Sequence, residues 1–156
     1  MSKRYVVSNL VLTVFAHSTE DLSRVRQAVL NVLPPQLREK VLIEEQVVQG
    51  HYGNSITLIT VKTRSREDDV HAFKHVLCSL SHTDRSLFVA TLHRRVGSKN
   101  SIIYLRLSKQ DAFSGNIMLM DGDDVIRVSA TVVGVRSLKD LHDYVRGVFR
   151  ECGSST

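Results

Sequence analysis

Between residues 9 and 17, Leu10, Leu12, Val14 and Ala16 share one phase of an alternating pattern, the two-residue period of a strand with one buried face. The following Ser18-Thr19-Glu20-Asp21 sets hydroxyls ahead of acids, which predicts a helix start through reciprocal capping and a favourable dipole. Leu22, Val25, Val29, Val32 and Leu33 then recur at three- and four-residue spacing until Pro34-Pro35 stops the stripe. Residues 41–49 and 55–63 read as two strands joined by a hairpin, because Gly53-Asn54 between them tolerates positive φ. A second helix is expected from Ser65 or Arg66, with Glu67, Asp68 and Asp69 in its first turn and Val70, Phe73, Leu77 and Leu80 on one face. It should break near Ser81-His82-Thr83-Asp84 and resume briefly through Leu87 and Phe88. In residues 101–107, Ile103, Leu105 and Leu107 form one phase and Ile102, Tyr104 and Arg106 the other. After a loop or single turn over 109–115, residues 125–133 read as a last strand. Leu138, Leu141, Val145, Val148 and Phe149 mark a C-terminal helix.

The order β-α-β-β-α-β-β-α predicts an α+β domain with a mostly antiparallel sheet, helices packed on one face and the other face or an edge left available. With 156 residues, 42% of them hydrophobic and 24% charged, one domain over residues 1–150 is expected, followed by a flexible tail over 151–156. No apolar run nears the roughly 18 residues needed to cross a bilayer and no secretory signal opens the chain, so a soluble cytoplasmic protein is expected. Cys78 and Cys152 are the two cysteines. They cannot build a disulfide framework or a four-cysteine zinc site, Cys78 reads as a small core residue, and a reducing compartment fits.

Charge shifts attention to partners. Twenty-one Lys and Arg oppose sixteen Asp and Glu, giving a formal +5. Residues 85–110 contain no acid but hold Arg85, Arg94, Arg95, Lys99, Arg106 and Lys109. His51, Tyr52, Tyr104 and Phe113 interleave with these cations, a mixture suited to stacking bases and holding phosphates. His71 and His75, at i and i+4, have too few companion ligands to predict a metal site. Asp121-Gly122-Asp123-Asp124 reads first as a turn. A metal-dependent nuclease using Asp121, Asp123 and Asp124 is the alternative. The nucleotide-binding glycine motifs, the Walker loop and the nucleophile elbow are absent, as is the common aromatic strand motif of small RNA-binding domains.

Four blocks in order, Ala16-His17-Ser18-Thr19-Glu20-Asp21, Gly50-His51-Tyr52-Gly53-Asn54, residues 105–113 (LRLSKQDAF) and Asp124-Val125-Ile126-Arg127-Val128, resemble the archaeal predicted RNA-binding proteins described as exosome-associated. The resemblance covers most of residues 8–149. The family pattern commonly has Pro where Ser55 stands and Asp where Ser108 stands. It implies an archaeal cytoplasmic protein with a fold similar to the ribosomal protein that binds the smallest ribosomal RNA, and a non-catalytic RNA-binding function in RNA processing or degradation. It supplies no catalytic residue, metal ligand or cofactor. The residues expected to bind RNA are His51, Tyr52, Arg94, Arg95, Lys99, Arg106 and Lys109. The implied partners are RNA and exosome subunits, with self-association in a homo-oligomer compatible and a membrane excluded. A protein adaptor with weak RNA affinity is the other alternative.

For the turn at residues 50–54, Gly53→Val is expected to destabilise the fold by about 1–3 kcal/mol through strain at positive φ. Tyr52→Ala is expected to leave stability unchanged and to weaken RNA binding. Equal losses of melting temperature in the two variants would show that Tyr52 is a packing residue.

Overall fold

The elements form where the hydrophobic periods place them. In chain order they are β1 (Val6–His17), α1 (Leu22–Leu30), β2 (Leu42–Gln49), β3 (Ser55–Lys62), α2 (Arg66–Ser79), α3 (His82–Ala90), β4 (Val96–Gly97), β5 (Ile102–Ser108), α4 (Lys109–Phe113), β6 (Val125–Val133) and α5 (Leu138–Cys152). Short 3-10 turns lie at Pro35–Leu37 and Leu92–Arg94. The structure, a computed structural model, describes residues 5–49, 54–97 and 101–152. The strands make one antiparallel sheet in the order β2-β3-β1-β6-β5-β4. This is the expected α+β architecture, with the second helix broken at Ser81 as its sequence indicates.

One face of the sheet is buried. Leu10, Leu12, Val14 and Ala16 of β1, Ile59 and Val61 of β3, Ile103, Leu105 and Leu107 of β5, and Val128, Ala130 and Val132 of β6 all pack beneath the helices. These residues meet Val25 and Val29 of α1, Phe73, Val76 and Leu77 of α2, Phe88 of α3 and Leu141 and Val145 of α5. Burying each large aliphatic side chain contributes about 1.5–3 kcal/mol, so this layer supplies the main driving force for folding.

β1 starts three residues earlier than its alternation suggests. Val7 and Leu10 are both buried although they are three apart, because a bulge between Ser8 and Leu10 inserts Asn9 at φ 61° and resets the phase. The bulge frees backbone N–H groups from the ladder. Asp69, in the first turn of α2 and only 6% exposed, accepts from Asn9 N–H at 2.9 Å and Leu10 N–H at 3.1 Å, and from the Thr63 hydroxyl. One carboxylate thereby joins the central strand to the helix layer.

Serine caps recur at helix starts. Ser65, Ser81, Ser108 and Ser137 each accept from the backbone N–H of an aspartate three residues on, the N-cap contact of a hydroxyl. Ser108 thus fills a position where Asp also serves as a cap, a physical reason why either residue suits it. The start of α1 differs from expectation. Asp21 is its cap, accepting from Ser23 N–H at 2.9 Å, while Ser18 and Thr19 lie in a turn.

The expectation that Cys78 and Cys152 form no disulfide framework, with Cys78 a small core residue, needs correction. Cys78, near the end of α2, and Cys152, at the end of α5, are joined as a disulfide with Cα atoms 5.4 Å apart. A spacing of 74 residues hid the pair in sequence. Glu151 also forms an ion pair with Lys74 at 3.0 Å, so α5 continues two residues into the expected tail. Residues 153–156 lie outside the described residues.

Among the described residues, no helix covers the opposite sheet face. Val11, Thr13, Phe15 and His17 of β1 lie in register with Lys62, Thr60, Leu58 and Ile56 of β3. Across β6, Ser129 and Arg127 are opposite Val11 and Thr13 on one side and opposite Tyr104 and Arg106 of β5 on the other. On this open face β3 contributes Leu58 and Ile56 beside Thr60 and Lys62, while β5 and β6 contribute Tyr104, Arg106 and Arg127.

Asp69→Ala is expected to lower unfolding free energy by about 3 kcal/mol or more, because it leaves two N–H groups at the bulge without a charged acceptor. Urea denaturation measures this. A loss under about 0.5 kcal/mol would show that the bulge does not depend on Asp69.

Candidate nucleic-acid interface

At the β5 end of the open face, Thr91, Arg94, Arg95, Tyr104, Arg106 and Asp121 line a concavity of about 380 Å³. Its walls follow from local folding. The Leu92–Arg94 turn caps the end of α3 and brings Arg94 and Arg95 to the edge of β5, where Tyr104 N–H donates to Arg95 O at 2.7 Å. Residues 118–120 cover the other half of that edge, with Met120 N–H donating to Arg106 O at 3.0 Å and Ser108 N–H to Met118 O at 2.9 Å. Asp121 follows directly. Leu119 N–H in turn donates to Asp84 of α3 at 3.0 Å, fixing this segment.

Arg95 is the anchored member of the cluster. Its Nε donates to Thr91 Oγ1 at 2.8 Å and its guanidinium lies 5.8 Å from the Phe88 ring centre. Burial is the largest influence on its pKa and lowers it, with Asp121 acting in the opposite direction. Arg94 and Arg106 are exposed. Arg106 stands directly across from Arg127, a pairing of like charges that is unfavourable by itself and is relieved by an anion. Asp123 compensates in part through a 3.5 Å ion pair with Arg127.

The structure brings together Arg94, Arg95 and Arg106 among the expected RNA-binding residues, and adds Tyr104 and Asp121 to them. His51, Tyr52 and Lys99 lie outside the described residues. Arg85, also in the acid-free stretch, turns inward. It donates to Cys78 O at 2.8 Å and Leu80 O at 3.1 Å, satisfying the end of α2, and lies 5.3 Å from the Phe149 ring centre. Phe113, expected among the interleaved rings, lies under Arg24 of α1 at 4.4 Å.

Lys109 is placed elsewhere too. Its ammonium donates to Phe15 O at 2.9 Å, to Glu20 Oε1 at 3.0 Å and Oε2 at 3.1 Å, and contacts Asp124 Oδ1 at 2.7 Å, with the side chain only 11% exposed. Glu20 also accepts from His17 N–H, and His17 Nε2 lies 3.3 Å from Asp124 Oδ1. Two carboxylates neutralise this lysine. The network unites three of the sequence blocks, those around residues 16–21, 105–113 and 124–128. The fourth block follows β2, whose last residue, Gln49, pairs with Ser55 one position from Ile56, the partner of His17. Three of the four blocks therefore meet at one end of the sheet, where Gln49 and Ser55, the described neighbours of the remaining block, also lie.

The carboxylates Asp121, Asp123 and Asp124 do not share a ligand position. Asp121 faces the arginine concavity, Asp123 meets Arg127 and Asp124 meets Lys109, with Gly122 turning the chain at φ 112°. His17, Glu20 and Asp124 are the group with the spacing of metal donors among the described residues, and Lys109 already supplies the positive charge to both acids. His71 Nε2 contacts Gln36 Nε2 at 2.6 Å. Burial, followed by the charges of Arg38 and His71, lowers the His75 pKa. Among the described residues, no helix is long and apolar enough to cross a membrane.

A family model described as RNA binding matches residues 9–132. An uncharacterized protein of Methanocaldococcus jannaschii is 30% identical over 125 residues, covering 78% of this chain and 82% of that protein. An RNA-binding protein of Pyrococcus abyssi is 26% identical over 133 residues, covering 85% and 86% of the two chains. Among solved structures, a DUF54 protein of Sulfolobus solfataricus has a TM-score of 0.75 at 22% identity over 96% of this chain and 100% of that one, which shows a shared fold.

The hydrogen bond from Lys109 is the largest cause holding the Asp124 carboxyl below its ordinary pKa, and the Lys109 and His17 charges add to it. A carboxyl with a lower pKa in the folded chain adds stability above its unfolded pKa, and that contribution is lost as pH falls through the folded value. In an NMR pH titration, Asp124 is expected to titrate below ordinary aspartate and to move up in Lys109→Met. The same pKa in both proteins would contradict the network.

Proposed function

Because the chain belongs to the RNA-binding family whose model spans residues 9–132, we propose that it is a non-catalytic RNA-binding protein whose contact surface is the open sheet face. The observation that carries this reading is the concavity where Arg94, Arg95 and Arg106 surround the exposed Tyr104. Guanidinium groups hold phosphates through charge-assisted hydrogen bonds, and an exposed ring on a sheet is a stacking platform for an unpaired base. A single strand meets both requirements, because its bases are free to stack while its backbone tracks the cations. The cross-strand pair Arg106 and Arg127 adds a second phosphate position along the sheet.

With Asp123 paired to Arg127, Asp124 paired to Lys109 and Asp121 facing the arginine concavity, the three carboxylates do not converge, which favours binding over metal-dependent cleavage. Within this reading the chain acts beside archaeal RNA-processing machinery as an exosome-associated protein. The likeness expected to the ribosomal protein of the smallest ribosomal RNA extends the proposal to structured RNA. Pull-down with and without ribonuclease separates RNA-mediated association from the adaptor alternative. A partner retained after ribonuclease treatment favours the adaptor.

Each phosphate contact on a single strand contributes a slope of about −0.7 to log affinity against log salt. Arg94→Glu and Arg106→Glu are expected to weaken binding to unrelated RNA sequences alike and to flatten this slope, since phosphate contacts position the strand without reading bases. Arg146→Glu, at an exposed position of α5 in the helix layer, should leave both unchanged. Unaltered affinity in correctly folded Arg94→Glu and Arg106→Glu proteins would remove this concavity as the binding surface.

A further inference from the structure

Asp121 has no role in a site built for phosphate alone. A carboxylate lining a concavity with three arginines repels phosphate. Among the described residues it makes neither an ion pair nor a hydrogen bond, in contrast to Asp123 and Asp124 nearby. It is an exposed acceptor pair held beside Tyr104 by the anchored segment 118–120.

Tyr104 is held as firmly. A Cβ on Gly97 would lie 2.8 Å from Tyr104 Cε2 and 3.1 Å from its hydroxyl, so the ring rests against bare backbone of β4. The side chain nevertheless remains 43% exposed. The concavity, about 380 Å³, is at the small end of the roughly 300–1,000 Å³ typical of ligand sites. Its dimensions suit one nucleotide better than several.

We propose that this concavity is a guanine-reading subsite. The base stacks on Tyr104, Asp121 accepts from the N1–H and the N2 amino group on its Watson–Crick edge, and the arginines hold the flanking phosphates. The choice of base follows from donor arrangement. Guanine presents two adjacent donors to the two oxygens of a carboxylate. Adenine and cytosine each place one amino donor beside a ring acceptor, and uracil places one N–H between two carbonyl oxygens, so each sets an acceptor against Asp121. Three arginines and one aspartate leave a surplus of two positive charges to meet phosphate. This inference rests on the RNA-binding reading and assigns a base to it.

The test is fluorescence anisotropy of the full chain with labelled short oligoadenylates carrying one central guanosine, inosine, adenosine, cytidine or uridine. Inosine retains N1–H and lacks the amino group. The guanosine oligomer should bind about tenfold or more tighter than the adenosine, cytidine and uridine oligomers, with inosine between. Asp121→Ala should abolish the preference while leaving oligoadenylate affinity equal or higher. Equal binding of the guanosine and adenosine oligomers, or a preference retained in Asp121→Ala, would overturn the guanine assignment and leave RNA binding standing. Failure of the wild-type chain to bind any oligomer would overturn RNA binding itself.

Discussion

Leu10, Leu12, Val14 and Ala16 project from one side of a strand in the middle of a six-stranded sheet, and none can remain in water without a large loss of stability. All five helices consequently gather on that side. Among the described residues the second face is left without a cover, and its side chains are set by the same alternation: wherever β1, β5 or β6 sends an aliphatic residue inward, its neighbours Thr13, Tyr104, Arg106 and Arg127 point out. A basic and aromatic surface is thus the geometric complement of the core. The Asn9 bulge and the Asp69 carboxylate keep this arrangement in phase across the full length of β1.

The sequence blocks that mark the family and the residues that meet RNA in the proposed reading have different tasks. His17, Glu20, Lys109 and Asp124 join segments distant in sequence at one end of the sheet. Their charges largely satisfy one another. Arg94, Arg106 and Tyr104 leave their functional groups available on the open face and edge of β5. In this account an ion-pair network holds one end of the sheet while the neighbouring concavity supplies the contacts, consistent with binding sites being most accurate when carried by fixed elements.

Much of the fold was legible because period two and period 3.6 are written plainly over 9–17, 125–133 and 138–149. The beginning of β1 was not, since the bulge at Asn9 breaks the alternation that identifies a strand. Nor was the role of Asp69, which has the appearance of an ordinary first-turn acid until the strand beneath it is known. The disulfide escaped because two cysteines 74 residues apart carry no spacing motif. Within the candidate site, an acid-free run of cations was visible, but the destinations of Arg85 and Lys109 depend on carbonyls and carboxylates brought near by tertiary folding. Tyr104 was recognisable from its outward phase on β5. Asp121 read as part of a turn, and only the pairing of 118–120 with the edge of β5 places it among arginines.

The central claim is that the face opposite the helices receives RNA. Chemical-shift mapping of the isotopically labelled chain, titrated with a short single-stranded RNA, tests it most directly. The account predicts amide perturbations concentrated in β5, β6, the Leu92–Arg94 turn and residues 120–123, with α2 and α5 unaffected. Perturbations confined to the helix layer would contradict it.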